Sequence, residues 1–226
     1  MKKFAIVAAI LVVAAAGLMQ LQLATAQAPA ATNQGQSSQE ASAKSLLGNG
    51  GFEERQEHSN DPQEWFGTRL PDTAGHFLMA SSSSVAHNGR RSVFVEIGES
   101  HPDRPVAYNW TAVANGWKPG ETYELSGWIK VENAKEPAFI MAQFWDAEST
   151  PPTKEKPIGK RASMIGGATT QKDFPVTGTA DWKRVSTRLS VPEGTKVVRV
   201  RIGLASQRNW GAKAWFDDVS LVKVAN

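Results

Sequence analysis

The 226-residue chain has no cysteine and a formal net charge of +3. Absent thiols exclude a disulfide framework and thiolate metal sites. Without Lys2 and Lys3 the balance is 23 basic (25 minus 2) against 22 acidic residues, which leaves no basic block for nucleic acid and no amphipathic basic helix for a membrane surface.

Met1-Lys2-Lys3 followed by the apolar run 4–19 has the layout of a secretory signal, and Ala24-Thr25-Ala26 supplies the small-x-small cleavage pattern. The expectation is a signal peptide over 1–26, with an uncleaved anchor as the alternative on length. Export without cysteine suits a bacterial periplasm, cell envelope or extracellular space. Residues 27–44 are Ala, Gln, Ser, Asn and Pro with almost no large apolar side chain, so they read as a flexible linker. The folded domain is expected over 45–226. No internal repeat points to a propeller or solenoid.

From Ser45 onward, short strand-like runs alternate with turn residues. The runs are 76–80, 92–97, 106–111, 123–131, 138–146, 182–191, 197–204 and 212–222; Asn88-Gly89, Lys118-Pro119-Gly120-Glu121 and Pro192-Glu193-Gly194 lie between them. Repeated short strands of this kind predict an all-β fold, a sandwich or barrel of antiparallel sheets. The stretch 147–167, with Pro151-Pro152 and Pro157, reads as one long exposed loop. In 123–131 the alternation puts Tyr123, Leu125, Ile129 and Val131 on a core face, and Glu124, Ser126, Trp128 and Lys130 on the other.

The run Ala214-Trp215-Phe216-Asp217-Asp218-Val219-Ser220-Leu221 reads as the last strand. Strict alternation places Trp215, Asp217, Val219 and Leu221 on one apolar face, where a carboxylate is costly without compensation. Either the strand is kinked at Asp217, or Asp217 has a partner such as a hard cation or a nest of backbone N–H groups. Leu46-Leu47-Gly48-Asn49-Gly50-Gly51-Phe52-Glu53, a glycine turn leading to a carboxylate, is expected to meet this strand in space.

Five pieces in order resemble the jelly-roll carbohydrate-binding modules of the family 4/9 type, with their galactose-binding-domain-like sandwich. They are Leu47-Gly48-Asn49-Gly50-Gly51-Phe52-Glu53 with Trp65, Ala86-His87-Asn88-Gly89-Arg90-Arg91-Ser92-Val93, the stretch from Lys118 through Gly127-Trp128-Ile129-Lys130, Trp182 leading to Val191-Pro192-Glu193-Gly194, and Trp215-Phe216-Asp217-Asp218-Val219. The resemblance implies a jelly-roll β-sandwich of two antiparallel sheets, a poly- or oligosaccharide partner and no chemistry. It also implies a structural calcium joining the first and last strands, held by the Gly51 carbonyl, the Glu53 carboxylate, the His87 and Arg90 carbonyls and the Asp217 carboxylate. Oxygen-only ligation suits that hard cation; the alternative is that Asp217 or Asp218 accepts backbone hydrogen bonds or pairs with an arginine.

Eight tryptophans stand against two tyrosines, and indole serves equally as core filler and as a platform for the apolar face of a sugar. Trp182 and Trp215, on strongly patterned strands, are assigned to structure, while Trp117 and Trp210 in loop contexts are open to either role. Trp65, Tyr108, Trp110, Trp128 and Trp145 are the candidates for a ligand face, with Gln143 alternating onto the side of Trp145 and Arg69 four residues after Trp65. Core packing is the competing reading for each. The four histidines lack metal-ligand spacing, and no nucleophile elbow, P-loop or dinucleotide fingerprint appears. Asp217 and Asp218, adjacent on a strand, point to opposite faces and form no catalytic dyad. Asn109-Trp110-Thr111 matches a glycosylation sequon. The alternatives to glycan binding are an envelope protein-interaction jelly roll and, less favoured, a polysaccharide-active enzyme.

Overall fold

Alternating apolar residues need a partner surface on one side only, and in this chain two sheets supply it to each other. The structure is a computed structural model describing residues 44–68, 75–99, 107–149, 161–205 and 207–224; the expected signal peptide and nearly all of the linker lie outside these residues. All regular structure among the described residues is strand. In chain order these are β1 (Phe66–Gly67), β2 (Phe77–Ser82), β3 (Ser92–Ile97), β4 (Ala107–Val113), β5 (Thr122–Trp145), β6 (Met164–Thr169), β7 (Val176–Ser190), β8 (Val197–Ala205) and β9 (Lys213–Lys223). The all-β, jelly-roll-like sandwich expected from the sequence is the fold observed.

The strand β5 is the hinge of the design. Its first part pairs with β7 and β9, and its second part, from Phe139, pairs with β8 and β6. One sheet therefore runs β2-β3-β9-β5-β7 and the other β1-β4-β8-β5-β6, all antiparallel. Alternation predicts two strands in place of β5, broken at the polar stretch around Asn133. The chain bends there instead: Asn133 takes a positive φ of 54°, and the register against β7 slips between Ile129 and Ala138.

Inward residues of both sheets form one core. Tyr123, Leu125, Ile129, Val131, Val93, Val95 and Phe216 face Tyr108, Trp110, Ile140, Ala142, Val200, Ile202 and Leu204, all buried. Each large apolar side chain so buried contributes on the order of 1.5–3 kcal/mol.

Two expectations need correction. The loop expected over 147–167 is too long at its end, because Met164 to Gly167 belong to β6 and pair with β5; the glycines there weakened the strand pattern. In β9, Trp215 does not share the face of Val219 and Leu221. The register against β5 shifts between Ser126 and Trp128, and Asp218 has a φ of 48°. This extra residue reverses the alternation: Ala214 and Phe216 point inward before it, Val219 and Leu221 after it. The predicted meeting of the chain ends is observed, with Val219 N donating to Gly50 O at 2.9 Å and Leu46 N to Leu221 O at 2.8 Å.

Candidate functional site

The outward face of the β1-β4-β8-β5-β6 sheet gathers polar and aromatic side chains in cross-strand rows. One row reads Phe66, Thr111, Arg201, Met141, Thr169, and the next Val113, Arg199, Gln143. Trp145 follows beside Val197 and Met164. Period-two alternation produces this: Arg199 and Arg201 point out because Val198, Val200 and Ile202 point in. The rows are rimmed by exposed Phe66, Val113 and Met164.

Asn109 organises the centre. Its Oδ1 accepts hydrogen bonds from Arg201 Nε at 2.9 Å, Thr111 Oγ1 at 2.8 Å and Thr68 Oγ1 at 3.3 Å. The side chain is fully buried, so the sequon it belongs to offers no accessible nitrogen. The Arg199 guanidinium lies 5.1 Å from the Trp145 ring centre, a cation–π geometry. Trp145 Nε1 has no hydrogen-bond partner among the described residues, an unused donor of the kind that calls for explanation. Together these groups offer a ring to stack on and planar hydrogen-bonding groups to orient a ligand.

The residues expected at a ligand face are scattered by the fold. Gln143 and Trp145 lie on this face, as their alternation indicated. Trp65, Tyr108 and Trp110 are at 0–1% exposure in the core. Trp65 packs on Phe52 with ring centres 5.1 Å apart and donates to Gly48 O, while Trp110 Nε1 donates to Phe94 O at 3.2 Å. Burial closes these three to a ligand on the surface. Trp128 faces outward from the other sheet, stacked on the His87 ring at 3.8 Å. Arg69 lies outside the described residues. Of the two tryptophans assigned to structure, Trp215 is buried at 5% exposure and Trp182 meets the His87 ring edge-on. Arg199, Arg201 and Asn109 were missed, although Arg-Val-Arg-Ile within an apolar run already marks two arginines on one strand face.

The residues implied for calcium converge on the turn at 87–91. Glu53 Oε1 accepts Arg90 N and Arg91 N at 2.8 and 3.0 Å. Asp217 Oδ2 accepts His87 N and Asn88 N at 2.8 and 3.2 Å, and its Oδ1 accepts Asp218 N at 2.8 Å. The backbone-nest alternative for Asp217 is thus realised. Burial pushes the Asp217 carboxyl up to about 6 even against these donors. The donor set still fits a hard cation in chemistry, since Glu53 Oε2 takes no hydrogen bond among the described residues. No cluster of three or more His, Cys, Asp or Glu is grouped to hold a metal among them, so backbone carbonyls would have to complete a shell. Beside this corner a depression of about 830 Å3 is lined by Glu53, Arg55, Glu57 and Arg90, among others. Among the described residues no aromatic side chain lines it.

No family model matches the sequence, and no curated protein matches it. Solved structures do share its fold. A protein from Bacteroides thetaiotaomicron proposed to bind sugar aligns over 80% of this chain and 100% of its own at 11% identity, with a TM-score of 0.54. The enzymatically active domain of tailspike protein 4 from bacteriophage CBA120 aligns over 80% of this chain at 12% identity, with a TM-score of 0.52. This chain spans only 21% of that protein's length. A family 4 carbohydrate-binding module aligns over 79% of this chain and 99% of its own at 18% identity, with a TM-score of 0.47. The likeness is one of fold alone, a jelly-roll β-sandwich. It does not extend to membership of the family 4/9 type.

Proposed function

We propose that the chain is an exported, non-catalytic carbohydrate-binding protein whose ligand lies across the outward face of the β1-β4-β8-β5-β6 sheet. The observation that carries this reading is the grouping of Trp145 with Gln143, Arg199 and Arg201 on neighbouring strands of that face. A pyranose ring would stack on the indole while the amide and guanidinium planes take its hydroxyls. Calcium belongs to the same proposal as a structural ion at the corner of Glu53, Asp217 and the carbonyls of Gly51, His87 and Arg90. Its role would be to fasten the first and last strands, away from the ligand.

The test is affinity electrophoresis of the full chain through a panel of soluble polysaccharides, with pull-down on insoluble ones. Retardation by at least one glycan, lost in a folded Trp145→Ala variant, is the expected result. A folded protein that no glycan on a broad panel retains would overturn the proposal. The burial of Trp65, Tyr108 and Trp110 favours the second reading in that event, an envelope protein-interaction jelly roll whose aromatics serve the core.

A further inference from the structure

Arg199 and Arg201 sit two residues apart on the same face of β8, the middle strand of the β4-β8-β5 rows. Same-face neighbours along a strand are about 7 Å apart, close enough for like charges to repel. Among the described residues no charged cross-strand neighbour offsets that. Their cross-strand neighbours are Thr111, Val113, Met141 and Gln143, all uncharged. Among the described residues Arg201 has one hydrogen bond, from Nε to the neutral Asn109 amide, and Arg199 has the Trp145 ring. Asp146, the residue after Trp145, accepts Ser163 N at 2.7 Å. Among the described residues neither arginine forms a salt bridge.

The opposite sheet provides the contrast within the same molecule. On its outward face Lys130 meets Asp181 at 2.9 Å, Arg184 meets Glu124 at 2.8 Å and Lys213 meets Glu96 at 2.8 Å. These three basic side chains on the opposite face each meet an acid, whereas among the described residues the two guanidiniums of the candidate ligand face meet none. Their terminal NH2 groups form planar forks suited to carboxylate or sulfate oxygens.

We propose that the ligand of this face is an anionic saccharide, whose carboxylates or sulfate esters are held by Arg199 and Arg201 while a sugar ring stacks on Trp145. This rests on the carbohydrate-binding reading above and narrows it to a charge class. Burial and then the Arg199 charge lower the Arg201 pKa from its ordinary value, and a bound anion would offset both.

The experiment is affinity electrophoresis of the full chain through four gels: polygalacturonate, its carboxyl-reduced counterpart, dextran sulfate and dextran. Arg199→Gln, Arg201→Gln, Trp145→Ala and the remote control Lys183→Gln are run alongside, each with a thermal melt to certify folding. Expected is binding to polygalacturonate or dextran sulfate that is at least about tenfold tighter than to the matched neutral polymer. That binding should fall about tenfold in Arg199→Gln and in Trp145→Ala, weaken with salt and persist in Lys183→Gln. Whether carboxylate or sulfate is the group is read from which anionic gel retards the protein. Equal binding to neutral polymers, unchanged in Arg199→Gln, would overturn the anionic class and leave the carbohydrate reading standing. Retardation by the anionic polymers that Arg199→Gln and Lys183→Gln reduce alike would overturn it as unspecific charge attraction. No retardation by these gels or by the broader neutral panel would overturn both readings.

Discussion

Asp217 Oδ2 accepts the backbone N–H of His87 at 2.8 Å, joining positions 130 residues apart in the chain. The bond ties β9, at the bulge, to the turn that precedes β3. From the other side Glu53 accepts the N–H groups of Arg90 and Arg91, so one short turn is clasped by two carboxylates from opposite ends of the domain. Asp217 is fully buried in making its bond.

That burial has a pH signature. Desolvation raises the Asp217 carboxyl from its usual 3.8 to about 6, against the lowering effect of its N–H donors. A group raised on folding contributes most below its unfolded pKa and loses that contribution as pH rises through its folded pKa. Between pH 4.5 and 7, in chelator, the stability of wild type relative to Asp217→Asn should therefore fall, by roughly 2 kcal/mol. Urea denaturation of both proteins at several pH values measures it. A difference flat with pH would mean that Asp217 stays ionised throughout.

Calcium should act most strongly where that carboxylate is charged. At pH 7, a saturating concentration about a hundredfold above Kd adds roughly 2.7 kcal/mol to a protein with one site. Thermal melts should show an upward shift with calcium that chelator reverses and that Glu53→Gln and Asp217→Asn each abolish. Melts indifferent to calcium at pH 7 would remove the ion from the proposal and leave the N–H donors as the whole of the clasp.

Close backbone packing beside the proposed ligand face gives a third expectation. A Cβ at Gly203 would stand 2.0 Å from Tyr108 O and 2.9 Å from the Asn109 Cα, a contact only separation of β4 from β8 relieves. Gly203→Ala should cost about 1–3 kcal/mol as an overpacked site and disturb the Asn109–Arg201 bond. Chemical denaturation gives the first effect, and loss of polysaccharide affinity at full folding gives the second.

What was legible in the sequence follows from what alternation encodes. Tyr123, Leu125, Ile129 and Val131 declared their face because the residues that alternate with them, Glu124, Ser126, Trp128 and Lys130, are polar or amphipathic. Gln143 and Trp145 declared theirs relative to each other. In β4 the same period is ambiguous in sign: Asn109 and Thr111 alternate with Tyr108 and Trp110, and nothing local says which set points inward. The buried hydrogen bonds around Asn109 Oδ1 let the polar set lie under the arginines while the aromatics fill the core. Arg199 and Arg201 were visible as a pair, but an arginine on a strand face ordinarily signals solvent. Only the neutral neighbours brought by β4 and β5, far away in sequence, give the pair another meaning. Asp217 announced itself as an anomaly, and the bulge that resolves it is a single inserted residue with no compositional mark.

Trp110 and Trp145 should respond in opposite ways to substitution. Trp110 is fully buried and its indole N–H is spent on Phe94 O, so Trp110→Ala should cost about 3–5 kcal/mol. The milder Trp110→Phe should lose less, stay folded and bind polysaccharide as wild type does. Trp145 is half-buried on the outward face, with the Arg199 guanidinium at its ring, so Trp145→Ala should cost about 1 kcal/mol while reducing affinity by tenfold or more, about the effect of one lost stacking contact. Stability is read from urea curves, and affinity from electrophoretic retardation at a fixed glycan concentration. The two scales should rank the variants in opposite orders. If Trp110→Phe lost affinity while Trp145→Ala kept it, the ligand would have to reach the interior between the sheets, and the outward face of β4, β8 and β5 would no longer be its site.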